Sequence, residues 1–253
     1  MAKHAIVIGG GMGIGEAIVR KLHADGWTLT IADRAADDAA KLAASLGERA
    51  TAEWVDITRE EQLAGVMKNL RERAGADGVM AAINSVGIYD DRRPLLQSDL
   101  ASFNRMFNVN VAGAFLFSKA VEPLLAKDAS LVHISSVNAR LAGARLGAYK
   151  VSKAALNMLV RCLASELARD PRRIRVNAVA PGWVDTPGER RVQAAQGTPD
   201  AFVDPASLKY IPMQRMTQAT EIADAVAFLC SPAASAITGQ IIHVDCGISN
   251  SEV

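Results

Sequence analysis

Apolar residues fall in short runs separated by longer stretches in which they recur at helical spacing. Ala5–Ile8, Trp27–Ala32, Ala52–Val55, Val79–Ile83, Leu131–Ile134, Ile174–Ala178 and Ile241–Val244 are nearly continuous apolar segments, the pattern of strands buried on both faces. Between them, Gly13–Ala24, Ala35–Leu46, Arg59–Arg73 and Gly147–Ala168 read as helices. This alternation predicts an α/β fold, a doubly wound parallel sheet of about seven strands with helices on both faces. No linker, repeat or low-complexity segment interrupts the pattern, so residues 1–253 read as one domain. The exception is Pro187–Pro212, rich in Gly, Pro and polar residues, which reads as an inserted lid over a substrate site. The helix over 147–168 carries Leu156, Leu159, Leu163 and Leu167, widened by Ala155, Met158, Val160 and Cys162, with Glu166 interrupting. One sheet face cannot cover so broad a stripe, so the helix predicts a subunit contact and a homo-oligomer, a dimer or tetramer.

Composition narrows the class without naming a function. Half the residues are apolar and 22% are charged, as in a soluble globular protein with a substantial core. A net charge of +1 gives no reason to expect nucleic acid or a membrane surface as partner. Ala5–Ile8 is too short for a signal peptide, and no stretch approaches a membrane span. Cys162, Cys230 and Cys246 are odd in number and lack metal spacing, so they read as reduced thiols in a cytoplasmic protein. His4, His23, His133 and His243 show no ligand spacing either, and no catalytic metal is expected.

Candidate chemistry begins where the first strand meets a glycine run, Gly9-Gly10-Gly11-Met12-Gly13-Ile14-Gly15. The spacing is G-x-x-x-G-x-G, at Gly9, Gly13 and Gly15, followed at once by a helix. Glycines let the backbone approach a pyrophosphate, and the helix N-terminus offers N–H groups and a positive dipole end. Asp33 ends the second strand, 18 residues beyond Gly15, where a carboxylate can accept the adenosine ribose hydroxyls. It could equally cap the helix that follows. Facing the ribose, it would oppose a 2′-phosphate and favour NAD over NADP, although Arg34 could engage that phosphate.

Tyr149 and Lys153 stand four residues apart, on one face of a helix. A cation ~5 Å from a phenol, at an effective dielectric near 20, favours the phenolate by roughly two pK units. The pair is therefore a candidate proton donor and acceptor for an alcohol–ketone couple. A surface Tyr beside a solvated Lys is the bland alternative.

Together these features resemble the short-chain dehydrogenase/reductase family, in its compact single-domain branch with a Rossmann-type sheet. Trp54-Val55-Asp56-Ile57 resembles the segment that holds adenine, through Asp56 and Ile57. Asn84-Ser85-Val86-Gly87 is similar to the family's Asn-Asn-Ala-Gly strand end, with two substitutions. Asn110 resembles the relay Asn, and Ser136 stands 13 residues before Tyr149, as the catalytic Ser does. Pro181-Gly182-Trp183-Val184-Asp185-Thr186 resembles the nicotinamide-side segment, with Val184 and Thr186 at the carboxamide. Ile8 stands where Thr is usual, and Cys246 where Gly is common.

The resemblance implies an NAD(H)-dependent oxidoreductase that interconverts a secondary alcohol and a ketone. Tyr149 would exchange the proton and Lys153 would lower the Tyr pKa and bond the nicotinamide ribose. Ser136 would hold the substrate oxygen, and Asn110 would hold a water linking Lys153 to solvent. An NADPH-preferring carbonyl reductase and a non-catalytic dinucleotide-binding regulator are the alternatives. A sugar-nucleotide epimerase would need a larger C-terminal domain. Substrate identity would sit after Gly87, between Ser136 and Tyr149, and in 187–212. Arg92, Arg93, Arg140, Arg145, Arg190 and Arg191 lie there and suit an anionic small-molecule substrate or a solvated surface. Trp183, Leu141, Leu146 and Met213 suit an apolar pocket wall or ordinary packing.

Overall fold

The computed structural model describes residues 3–89, 94–195 and 208–250. Arg92, Arg93 and the middle of the expected lid, 196–207, lie outside the described residues, as does the side chain of Arg191. Strands β1 (His4–Ile8), β2 (Thr28–Asp33), β3 (Ala50–Trp54), β4 (Val79–Asn84), β5 (Leu125–Ile134), β6 (Arg175–Pro181) and β9 (Ile241–Val244) form one sheet in the order β3-β2-β1-β4-β5-β6-β9. Every pairing in it is parallel. A small parallel pair, β7 (Val184–Asp185) and β8 (Thr217–Gln218), stands apart.

The alternation of side chains along a strand builds the two layers. Ala5 and Val7 of β1 face a core that takes Ile18, Val19 and Leu22 from α1 (Gly13–Ala24), Leu42 from α2 (Ala36–Leu46) and Val226 and Leu229 from α8 (Ala219–Cys230). Ile6 and Ile8 face the other core. It takes Leu63 and Leu70 from α3 (Glu60–Ala74), Phe117 and Val121 from α5 (Ala114–Val121), and Val160 and Ala164 from α6 (Gly147–Leu167). Strand order reverses between β1 and β4, and the crevice beyond their carboxyl ends is where open parallel sheets bind ligands.

Besides the helix Pro187–Ala195, which opens the stretch read as an irregular insertion, two elements depart from the sequence reading. β5 begins at Leu125, six residues before the expected start. Its pairing with β4 jumps from Val79↔Leu125 to Ala81↔Ser130. The irregular stretch carries Lys127 and Asp128, the latter at φ 61, so no apolar run announced it. The other is a wide π-helical turn, Asn108–Gly113, between α4 (Leu100–Phe107) and α5. There Gly113 lets the helix lie against Ile57, whose Cγ2 would be 2.8 Å from an added Cβ. Such turns widen helices most often at functional sites. Among the described residues, no helix is long and apolar enough to cross a membrane.

Candidate active site

The glycine run turns the chain from β1 into α1. Gly9 takes φ +76 and its N–H donates to Ala32 O at 2.7 Å. A Cβ on Gly15 would lie 1.9 Å from the Gly9 carbonyl oxygen, so only glycine allows the helix to start there. Met12 contributes no side-chain cap to α1, and first-turn N–H groups are left for an anion. The cradle fits a dinucleotide pyrophosphate.

Asp33 serves both of the roles its position suggested. Oδ2 accepts the Gly11 N–H at 2.8 Å and Oδ1 accepts the Ala35 N–H at 2.9 Å. The carboxylate thus ties the glycine loop to the entry of α2 while lining the cleft. Each oxygen keeps a lone pair for a ribose hydroxyl. Arg34 is exposed on the same rim. Asp56 accepts the Thr58 N–H at 2.9 Å and the Thr58 hydroxyl at 2.7 Å. Those bonds, the backbone one foremost, hold its carboxyl below the usual range, helped by Arg34 and Arg59.

Tyr149 and Lys153 occupy the first two turns of α6, and both line the cleft. Lys153 is 3% exposed, and its Nζ lies 5.8 Å from the Tyr149 ring centroid while donating to Ile134 O at 2.8 Å. The expected electrostatics are overturned in the protein alone. Burial pushes the Tyr149 phenol up to about 12, against a lowering hydrogen bond from Ser136 and with a raising charge from Glu189. Burial likewise pushes Lys153 down to about 8. Desolvation disfavours both charged forms, and it is the largest cause of each shift. Ser136 Oγ accepts the Asn138 N–H at 3.1 Å, so it caps a turn, yet its own O–H remains to donate toward the phenol.

Asn110 lies behind Gly87 and does not line the cleft. Its Oδ1 accepts the Ile88 N–H at 2.8 Å, and its Nδ2 donates to Ile88 O at 2.9 Å and to Ser152 Oγ at 3.0 Å. The amide thereby pins the loop after β4 to α6. A Cβ on Gly87 would lie 3.0 Å from Lys153 Nζ and 3.8 Å from Asn110 Oδ1, so both side chains face the same spot. Asn84 also lies beneath the cleft wall. Its Oδ1 accepts the Val86 N–H at 3.0 Å, and its Nδ2 lies 3.3 Å from His133 Nδ1.

Sequence reasoning set His133 aside as a residue without ligand spacing. Burial pushes its imidazole down to about 3, so it is neutral. Ser118 Oγ donates to Ala114 O at 2.7 Å and lies 3.3 Å from His133 Nε2, which assigns the ring proton to Nε2. The ring therefore fixes Asn84 from below.

Pro181 and Gly182 end β6, Val184 starts β7, and Thr186 follows. All four line the cleft, as do Gly9, Ile14, Gly15, Asp33, Arg34, Asp56, Ile57 and Ser136. Gly13 does not, but a Cβ there would meet Thr186 at 3.7 Å, so the two cleft walls touch. The cleft measures about 710 Å³. Trp183 and Leu141 pack instead with Val137, Ile211 and Ile248 in a satellite cluster. Arg140 and Arg145 are exposed off the cleft, Met213 is 59% exposed, and Arg190 pairs with Asp185 at 2.6 Å. Tyr89 and Glu189 are among the cleft residues not singled out from sequence. Tyr89 stacks edge-on against Tyr149 at 5.9 Å, and its hydroxyl donates to Glu189 Oε2 at 2.6 Å.

Comparison with known proteins agrees with this arrangement. A family model described as enoyl-(acyl carrier protein) reductase matches residues 9–249. An uncharacterized short-chain type dehydrogenase/reductase of Sinorhizobium fredii is 34% identical over 99% of this chain. That protein is longer, and the matched part is 44% of its length. A cis-4-hydroxycyclohexanecarboxylate dehydrogenase of Sinomonas cyclohexanicum is 34% identical over 96% of this chain and 95% of its own. A 3-ketoacyl-(acyl-carrier-protein) reductase of Brucella melitensis, solved in complex with NADH, superposes with a TM-score of 0.86 at 28% identity. That match covers 98% of each chain. The chain belongs to the short-chain dehydrogenase/reductase family, whose members are dinucleotide-dependent oxidoreductases.

Proposed function

We propose that this chain is an NAD(H)-dependent oxidoreductase, a single catalytic domain that interconverts a secondary alcohol and a ketone with Tyr149 as general acid and base. One observation carries the reading: a half-buried phenol and a buried amine sit on one helix face, in a cleft that also holds a glycine-lined phosphate cradle. A bound nicotinamide supplies or accepts the hydride. The residues supply binding, orientation and the proton.

At neutral pH the phenol, pushed up to about 12, is protonated and ready to donate to a ketone oxygen. Ser136 donates a second hydrogen bond to that oxygen and fixes it beside Tyr149. In the oxidation direction the positive charges of Lys153 and of the oxidised nicotinamide oppose the effect of burial. Lys153 would also bond the nicotinamide ribose, and Asn110 ties the loop after β4 to α6 beside it. Pro181, Gly182, Val184 and Thr186 form the nicotinamide wall, while Asp56, Ile57 and Asn84 shape the other. Asp33 favours NAD, because its carboxylate at the end of β2 would face a 2′-phosphate. The NADH complex of the related ketoacyl reductase supports that choice.

The substrate is a small alcohol or ketone. Free cysteines at 162, 230 and 246 support a cytoplasmic setting. A second copy of the chain covers α6 and its neighbours, which leave Val151, Met158, Phe115 and Leu100 between 42% and 73% exposed. Sedimentation of a lone 26.8 kDa species would refute the oligomer. Tyr149→Phe is the test of the chemistry. It should retain NADH binding by fluorescence and lose turnover of secondary alcohols by about a thousandfold or more. Near-normal turnover ends the proposal.

A further inference from the structure

Thr186-Pro187-Gly188-Glu189 opens α7 (Pro187–Ala195) and reads as a capping box, in which an acidic third residue completes a helix start. The Thr186 half is formed, since its Oγ1 accepts the Glu189 N–H at 3.1 Å. A capping role alone does not require what the Glu189 carboxylate does next. Oε2 reaches across the cleft to accept the Tyr89 hydroxyl at 2.6 Å, joining residues 100 apart in sequence. The Tyr89 ring in turn stands edge-on to the Tyr149 ring at 5.9 Å. Tyr89, Tyr149, Ser136 and Glu189 all line one cavity. A short bond to a charged acceptor is among the stronger hydrogen bonds, so the carboxylate is held in place over the reacting end of the cleft.

The geometry points to Glu189 as a specificity-determining residue that selects an uncharged carbinol or ketone and rejects one bearing a carboxylate or phosphate beside the reacting carbon. This rests on the function proposed above. The mechanism is repulsion at fixed geometry: an anionic group brought next to Tyr149 must approach a carboxylate that Tyr89 prevents from turning away. The direction in which Glu189 shifts the Tyr149 phenol shows that its charge is felt there. The arginine that follows, Arg190, is turned to Asp185 on the exposed side, through bonds of 2.6 and 2.5 Å.

The matched ketones acetoacetamide and acetoacetate differ in charge beside the same reacting group. Their dissociation constants would be measured by NADH fluorescence at constant ionic strength, on NADH-loaded Tyr149→Phe protein so that no turnover intervenes. Like charges ~7 Å apart at an effective dielectric between 20 and 40 discriminate by about tenfold or more. The amide should therefore bind about tenfold tighter than the carboxylate. Adding Glu189→Gln, which can still accept the Tyr89 hydrogen bond and keeps the backbone N–H that Thr186 Oγ1 accepts, should bring the ratio close to one. A ratio that Glu189→Gln leaves unchanged, or a carboxylate preferred by the protein that retains Glu189, overturns the inference and leaves the proposed chemistry standing. Failure of NADH itself to bind overturns the proposed function and the inference with it.

Discussion

Replacing Asp33 by Asn separates the two duties of that side chain. A full charge facing a 2′-phosphate ~4 Å away at an effective dielectric of 20 costs ~4 kcal/mol, roughly a thousandfold in affinity. Asp33 is only partly buried and both charges meet solvent, so about half of that survives at physiological salt, or about 30-fold. The amide would remove this repulsion. It would also offer one oxygen where the carboxylate uses two, so either the Gly11 or the Ala35 N–H loses its acceptor. A hydrogen bond to a charged group contributes ~1.5–3 kcal/mol, and loosening the glycine loop should weaken both dinucleotides together. The ratio is therefore the informative quantity. Dissociation constants for NADH and NADPH would be measured by fluorescence on both proteins at low and high salt. We expect the preference for NADH to shrink by about 30-fold in Asp33→Asn, and the wild-type preference to weaken with salt. An identical NADPH-to-NADH ratio in both proteins would refute the reasoning and leave Asp33 as a link between loop and helix only.

Lys153 is buried with its pKa lowered from 10.5 to about 8, so between those values the unfolded chain holds a proton that the native protein does not. Stability thus rises with pH from about 8 to 10.5, and below 8 the whole cost of about 3 kcal/mol is present. Lys153→Met should abolish turnover yet stabilise the dinucleotide-free protein at pH 7 by ~1–2 kcal/mol, after the lost bond to Ile134 O, raising Tm by a few degrees. A lower Tm in calorimetry would contradict this. Gly147 opens α6, and a Cβ there would sit 2.5 Å from Leu95 Cβ and 3.1 Å from Leu95 Cα. Gly147→Ala should displace Tyr149 and lower kcat/KM by about tenfold or more with NADH affinity little changed, and wild-type kinetics would refute it.

What the sequence made legible is what short-range pattern encodes. Helix α1 begins and ends where apolar spacing placed it, and six of the seven strands of the main sheet lie within three residues of where the apolar runs put them. The glycine loop, Asp33 and the Tyr149–Lys153 pair were readable because strand, turn and helix adjoin in the chain. The start of β5 was hidden by Lys127 and Asp128, which break the apolar run where the strand bulges. The π-helical turn at 108–113 lies against Ile57 and is bonded through Asn110 to the Ile88 backbone, which no local pattern reports. The same limit applies to the cleft. Tyr89 and Glu189 meet across 100 residues, and Asn84 and His133 across 49, so their pairing emerges only once the sheet has brought strand ends together. Cys246, where the family resemblance implies Gly, takes φ 53, a left-handed conformation that glycine adopts more easily.

The reversed pKa of Tyr149 follows from what spacing omits. Helical periodicity says that a phenol and an ammonium share a face, and the pair energy alone then favours phenolate. Burial adds a solvation cost to each charged form, and it acts on Tyr149 and Lys153 in opposite chemical directions but toward the same neutral state. A cation whose pKa is pushed down to about 8 loses its charge as pH rises, so its support for the phenolate fades where an exposed ammonium's would persist. Ser136 pulls the phenol down and Glu189 pushes it up, so the residues of this chain leave a protonated acid at neutral pH. Such a group can deliver a proton to a ketone without prior activation. Working as a base requires positive charge beyond what Lys153 provides, and the oxidised nicotinamide ring is the one participant of the proposed reaction that carries it. Acid–base competence in the two directions is thus unequal by construction. Alcohol oxidation should depend on pH far more steeply than ketone reduction does.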